Sequence, residues 1–236
     1  MKNNNGFTLI ELSIVLIIIS LIVGGVVGGR SLIKSAELKA VIDDVNKFQS
    51  ALNIFVDQYD AFSGDMVNAS EYWPTCDTPA TNCDGDGNNR IEFGAGEELR
   101  VFQMLSLADI LDGTYTGKAV GVGFGHRAGI NLPESKINGG GYFITYFSGS
   151  TTFPDISGHA VQFAKFNGVS AYDNGIITSS EAKILDKKMD DGIAYSGRFA
   201  ANNGADSAAN SCVTGSPVNY NLSQTGKDCR LLIGIN

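Results

Sequence analysis

Residues 84 to 92 read Asp84-Gly85-Asp86-Gly87-Asn88-Asn89-Arg90-Ile91-Glu92, with oxygen-bearing side chains at alternate positions. That spacing lets one tight loop turn several oxygens toward a common point, as a hard cation such as calcium requires. Asp84, Asp86 and Asn88 would supply side-chain oxygens and Arg90 a backbone carbonyl, while Ile91 would anchor the loop to the core. Two positions depart from a full EF-hand-type loop. Asn89 stands where the turn glycine belongs, although asparagine tolerates the left-handed conformation. Ala95 stands where the closing bidentate glutamate belongs, so Glu92, Glu97 or Glu98 has to close the shell. The competing reading is a solvated acidic turn stapled by Cys76 and Cys83. A different chemical oddity lies upstream. From Phe7 to Gly29 the polar residues are Thr8, Glu11, Ser13 and Ser20. A charge at the centre of a bilayer costs about 2.5–3.5 kcal/mol, so Glu11 calls for a partner and a purpose.

Other candidates read as structural. Cys76, Cys83, Cys212 and Cys229 form two local pairs. In an exported domain an even count points to disulfides, and neither pair has the tighter Cys-x-x-Cys spacing that zinc prefers. Asp186, Asp190 and Asp191 stand beside Lys187 and Lys188, a mixture of signs expected at a solvated helix end. Gly121 to Gly129 matches a relaxed dinucleotide fingerprint, but no helical pattern follows before Pro133, so a strand and turn are expected. His126 and His159 lie in no recognisable triad or metal motif. The net charge of −8 argues against a nucleic-acid-binding face, which needs clustered Lys and Arg. With 43% hydrophobic and 18% charged residues the chain can bury a core.

The elements that carry these residues follow from periodicity. Leu12 to Gly29 is just long enough to cross a bilayer. Val41, Val45, Phe48, Leu52, Phe55 and Tyr59 then recur at spacings of three and four, one apolar stripe on a helix from Ser31 to Tyr59. Together the two stretches make one long helix, apolar all round at first and one-sided later. Gly24, Gly25, Gly28 and Gly29 sit inside it, read equally as small-residue packing and as a stretch able to unwind. A helix is expected from Glu97 to Leu111, ended by Asp112-Gly113, and another from Ser179 to Met189, opened by a capping box at Thr178 and Glu181. Strands are expected at Lys118–Phe124, Gly141–Phe147, His159–Phe166 and Cys229–Ile235, and a loop at Asn202–Ser216. The fold class is therefore α+β, a long N-terminal helix laid on an antiparallel sheet, with a loop-rich disulfide-bonded domain.

Gly6, Phe7, Thr8, Leu9, Ile10 and Glu11, preceded by Lys2 in a short polar stretch, resemble the N-terminus of type IV prepilins and type II secretion pseudopilins. The resemblance covers about the first quarter of the chain. It implies the same helix-on-sheet architecture and a leader, residues 1–6, removed by a prepilin peptidase between Gly6 and Phe7. It also implies N-methylation of Phe7, an assembly helix over 7–29, its amphipathic continuation over 30–59, and an extracytoplasmic domain over 60–236. The freed amine of Phe7 is a cation near neutral pH. The resemblance makes Glu11 its partner on a neighbouring chain. It further implies a non-enzymatic filament subunit, of the minor kind for its size, in a type IV pilus or a secretion pseudopilus. The expected partners are pilin or pseudopilin subunits, itself included, an inner-membrane assembly platform and membrane lipid, with no nucleic acid. A membrane-anchored extracytoplasmic enzyme or binding protein is the alternative. Charge counting opposes the expected orientation, because Arg30, Lys34, Lys39 and Lys47 follow the apolar run and only Lys2 precedes it. The resemblance and the paired cysteines place the large domain outside.

Overall fold

The computed structural model describes residues 8–121, 123–149, 156–168, 171–216 and 218–235. Helix α1 runs Leu9–Tyr59, and the chain divides into two compact units, Met1–Lys39 and Ala40–Asn236. In the first unit the apolar side chains from Leu9 to Val27 are exposed on every side of α1. The helix is long and apolar enough to cross a membrane. Two hydroxyls in its apolar stretch are satisfied internally, Ser13 Oγ donating to the Ile10 carbonyl at 2.8 Å and Ser20 Oγ to that of Leu16 at 2.7 Å. Hydrocarbon offers no other acceptor. The helix continues through Gly24, Gly25, Gly28 and Gly29, where an added Cβ would meet nothing within 4 Å. Nothing inside the described chain therefore requires glycine there.

In the second unit the apolar stripe of α1 is buried. Val41, Val45, Phe48, Leu52 and Phe55 enter the core, while Asp43, Lys47 and Asp57 stay in water. Short helices α2 (Ala69–Tyr72), α3 (Glu97–Leu107) and α4 (Ser179–Met189) are joined by strands β1 (Gly140–Ser148), β2 (Ser157–Phe166), β3 (Tyr172–Asn174), β4 (Phe199–Asn203), β5 (Val213–Thr214), β6 (Asn219–Tyr220) and β7 (Cys229–Gly234). The main sheet has the order β1-β2-β7-β4, with β3 on the same edge of β2 beyond β7. All its pairings are antiparallel, and β5 and β6 form a separate ribbon. Alternation along β1 sends Tyr142 and Ile144 to the helix side and Phe143 and Thr145 to the other. On the helix side Phe48 meets Phe102 and Tyr142 edge-on, each at 5.2 Å, and Tyr142 stacks on Phe163 of β2 at 5.0 Å. The Tyr142 hydroxyl, buried in the core, finds partners in Asp44 at 2.9 Å and the Ser135 hydroxyl at 3.2 Å.

Three of the four expected strands are present as β1, β2 and β7. Lys118–Phe124 is a correction, since its described residues form turns. Gly117, Gly121, Gly123 and Gly125 all take positive φ, so the run bends repeatedly and cannot extend. Helix α3 stops at Leu107 rather than Leu111, because Asp109 adopts φ 57°. Strands β3 to β6 escaped the sequence reading, and β4 and β5 cut into the stretch expected as a loop from Asn202 to Ser216. Helix α4 and its capping box match expectation residue for residue.

Both disulfides have the expected pairing, Cys76–Cys83 and Cys212–Cys229. Loop-closure entropy predicts unequal contributions, because the sequence separations are 7 and 17. Replacing Cys212 and Cys229 together by Ala should cost about 3 kcal/mol in urea melts of the otherwise oxidised chain, and the Cys76/Cys83 pair less. Equal losses would show that loop length does not set their contribution.

Candidate functional site

Two sets of residues carry chemistry, one in each unit. At the start of α1 the Thr8 backbone N–H and hydroxyl both donate to Glu11 Oε2, at 2.7 and 2.8 Å, and the Glu11 N–H donates back to Thr8 Oγ1 at 3.3 Å. This is a reciprocal cap of the first helical turn. The carboxylate thus occupies the end of the helix where negative charge is favourable and backbone donors are unfilled. Thr8 entered the sequence reading only as part of a motif, and its pairing with Glu11 was missed. Gly6 and Phe7, the expected cleavage and methylation positions, lie outside the described residues.

The acidic loop is built by close backbone approach. A Cβ on Gly85 would lie 2.4 Å from the Asp65 backbone, and one on Gly64 would lie 2.6 Å from the Glu97 carbonyl. Only glycine lets the 84–88 segment and the start of α3 close on the turn carrying Asp65. Asp65 then accepts from Gly87 N–H at 2.8 Å and from Asn88 N–H at 3.2 Å. Glu97 accepts from Asp86 N–H at 3.3 Å and from Glu92 N–H at 2.8 Å. Asn89 takes φ 62°, the left-handed geometry that asparagine tolerates, and Ile91 is fully buried as the anchor.

Of the expected metal ligands, the structure brings Asp86 together with Asp65 and Glu97, whose oxygens lie within 4.8 Å of one another. Asp84 is engaged elsewhere, both its oxygens accepting from Ser70, at 2.8 Å from the N–H and 2.9 Å from the hydroxyl. Asn88 donates its side-chain amide to Asp86 at 2.9 Å. The Arg90 guanidinium lies 4.7 Å from the Tyr146 ring centroid, and Glu92 lines a separate depression with it. Asp65 was missed because nothing local marks it; it reaches the loop only through the fold. Burial pushes the carboxyls of Asp65 and Glu97 up, and for Glu97 the neighbouring Asp65 and Asp86 add to the effect. Both groups would gain from a cation. Arg100 already supplies part of that charge, its half-buried guanidinium being stabilised by Asp77, Asp84, Glu97 and Glu98 against burial, which pulls it down.

The remaining candidates are structural. His159 Nε2 accepts the Ile91 N–H at 3.1 Å, and burial pushes its imidazole down to about 4. His126 is fully buried, with Nε2 3.6 Å from Glu98 Oε1, beneath the rings of Phe93, Phe124 and Phe143. Asp186 corrects the expectation of a solvated helix end. It is fully buried and accepts from the Tyr220 hydroxyl at 2.7 Å and the Gly192 N–H at 3.0 Å. Asp190 accepts from the N–H groups of Arg198 and Phe199. The run of mixed signs concealed that each of these aspartates has a backbone to satisfy.

Residues 1–27 match the family model described as the prokaryotic N-terminal methylation motif, the signal of type IV prepilins and pseudopilins. No curated protein and no solved structure matches the chain.

His159 makes the loop anchor pH-sensitive. Its folded value lies below the ordinary 6.5, so the unfolded chain binds the extra proton first. Its contribution to stability should be complete above pH 6.5 and fall as pH drops toward 4. Thermal melts across that window should show the loss in the parent chain and a flatter profile in His159→Gln. An unchanged profile in the variant would refute the assignment.

Proposed function

We propose that the chain is the precursor of a filament subunit, of the minor kind, in a type IV pilus or a type II secretion pseudopilus. The supporting observation is the methylation motif over residues 1–27 running directly into a helix of 51 residues whose first part is apolar all round. In this reading a single span holds the precursor in the inner membrane. A prepilin peptidase removes residues 1–6, and the Phe7 amine is methylated and keeps its charge. An assembly platform then draws the helix into a filament of like subunits, with the domain from residue 60 onward outside the membrane. Glu11 accepts from Thr8 within one chain, and in the filament its carboxylate meets the Phe7 amine of a neighbour. The subunit works by packing rather than by catalysis.

The rival reading, a membrane-tethered enzyme or binding protein, predicts that the chain is absent from sheared filaments. In the proposed reading the mature chain begins at Phe7, which intact-mass analysis checks. Met1 retained, or a cut after Gly29, would overturn it. Glu11→Val should leave membrane insertion intact, because a costly charge is removed, and should lower recovery in filaments. Normal recovery would show that the carboxylate has no partner after assembly.

We also propose calcium as a ligand of the acidic loop, on the convergence of Asp86 with Asp65 and Glu97. Asp84, Asn88, Arg90 and Glu92 then shape the loop rather than fill the shell. Binding at the roughly 0.1–1 mM typical of extracellular modules suits a site already part-neutralised by Arg100. Calcium at about 10 mM should raise the melting temperature of the full chain in detergent, and Asp86→Ala should abolish the rise. No shift at that concentration would leave an acidic turn.

A further inference from the structure

The side of the sheet away from α1 carries an aromatic groove. Phe143 and Thr145 of β1, Gln162 of β2 and Arg230 of β7 line it, and its volume is about 470 Å³. That falls within the usual range for small-ligand sites. Phe93 and Phe124 form one wall, with ring centroids 4.4 Å apart, and are 43% and 44% exposed in a domain that buries most of its large apolar side chains. Tyr172 and Asp173 line it from β3. A second depression of about 370 Å³ adjoins the groove, shares Phe93, Tyr146 and Ser148 with it, and adds Arg90 and Glu92.

The wall is held in place from beneath. His126 is fully buried and lies 5.7 Å from Phe93, 6.1 Å from Phe124 and 5.0 Å from Phe143, centroid to centroid. Glu98, which sits against His126, accepts from the Gly94 N–H at 3.1 Å and so fixes the turn that presents Phe93. The exposed rings are thus preorganised rather than loose.

Charge narrows the class of ligand. The lining carries both signs of charge, Arg90 and Glu92 in the second depression and Arg230 and Asp173 in the groove. An ion of either sign would therefore meet a like charge as well as an opposite one. A purely apolar ligand would leave planar charged groups desolvated without partners. A sugar ring satisfies both demands. Its C–H faces lie flat on aromatic rings, and each hydroxyl both donates and accepts, so carboxylate and guanidinium edges can hold it in pairs.

We propose that this groove binds a neutral saccharide chain, with Phe93 and Phe124 stacking on sugar faces and the charged side chains of the two depressions holding hydroxyls. The site would give the exported domain a surface ligand in addition to its role in assembly, and it needs no neighbouring subunit.

The test uses the unassembled full chain in a zwitterionic detergent, because a maltoside headgroup would compete. Its outcome is therefore independent of filament formation. Maltotriose, cellotriose and chitotriose are the saccharide probes and decaproline the contrasting peptide, all followed by saturation-transfer NMR. At least one trisaccharide should bind saturably with a dissociation constant near the millimolar range. Phe93→Ala with Phe124→Ala should weaken it by about tenfold or more. Leu222→Ala, at an exposed apolar position outside the groove, should change nothing. If the double variant does not fold, Arg90→Ala with Glu92→Ala carries the same test. Three results would overturn the proposal: no saccharide binding up to about 10 mM, binding unaffected by the substitutions, or saturable binding of decaproline alone.

Discussion

One helix must satisfy two surroundings, and the rest of the structure depends on how α1 does so. Its backbone is hydrogen-bonded internally in either medium, so only the side chains have to change. Over its early turns they are apolar on all sides, and the serines bond back to their own helix. From Val41 onward a single stripe is buried, and charged residues fill the remaining faces. The stripe meets a layer of rings, Phe102 from α3 with Tyr142 and Phe163 from the sheet, and these contacts set which face of the sheet is covered. The opposite face carries a small cluster of Ile156, Ala160, Ala200 and Leu232, with Phe147 and Tyr195 against it, beside the aromatic groove at Phe143.

The acidity of the domain has a structural cause. Much of the chain lies in turns, where backbone N–H groups have no ladder to join. Carboxylates fill that role repeatedly. Asp65 accepts from Gly87 and Asn88, Asp84 from Ser70, Glu97 from Asp86 and Glu92, Glu98 from Gly94 and Gly96, and Asp190 from Arg198 and Phe199. Aspartate and glutamate suit this because each offers several lone pairs and no competing donor. The consequence is repulsion where such acceptors converge, as Asp65, Asp86 and Glu97 do, and burial then raises the carboxyls further. A site attractive to a cation thus arises from residues recruited to hold turns.

In the opening turn of α1, Glu11 caps the helix through Thr8. In the loops, the glycine-rich run before β1 presents Phe124 and the turn before α3 presents Phe93.

The sequence alone determined whatever rests on local periodicity and local pairs. The α1 stripe, the Thr178–Glu181 cap, the ends of α4, the three long strands and both disulfides were legible because their partners are close in sequence or recur at a fixed spacing. Asn89 was legible too, since its left-handed backbone is a property of one residue. Tertiary structure decided the rest. The short strands β3 to β6 carry too few residues to show a period, and they exist because β2 and β7 offer them an edge or because a chain reversal pairs them. Asp65 joined Asp86 and Glu97 only because Gly64 and Gly85 permit backbones to touch, and no window on the sequence spans that contact. Lys118–Phe124 had strand-like residues, but its glycines could also turn, and the fold took the turns. Whether a polar side chain points to a metal, a backbone N–H or water depends on what arrives from elsewhere in the chain, which local pattern does not contain.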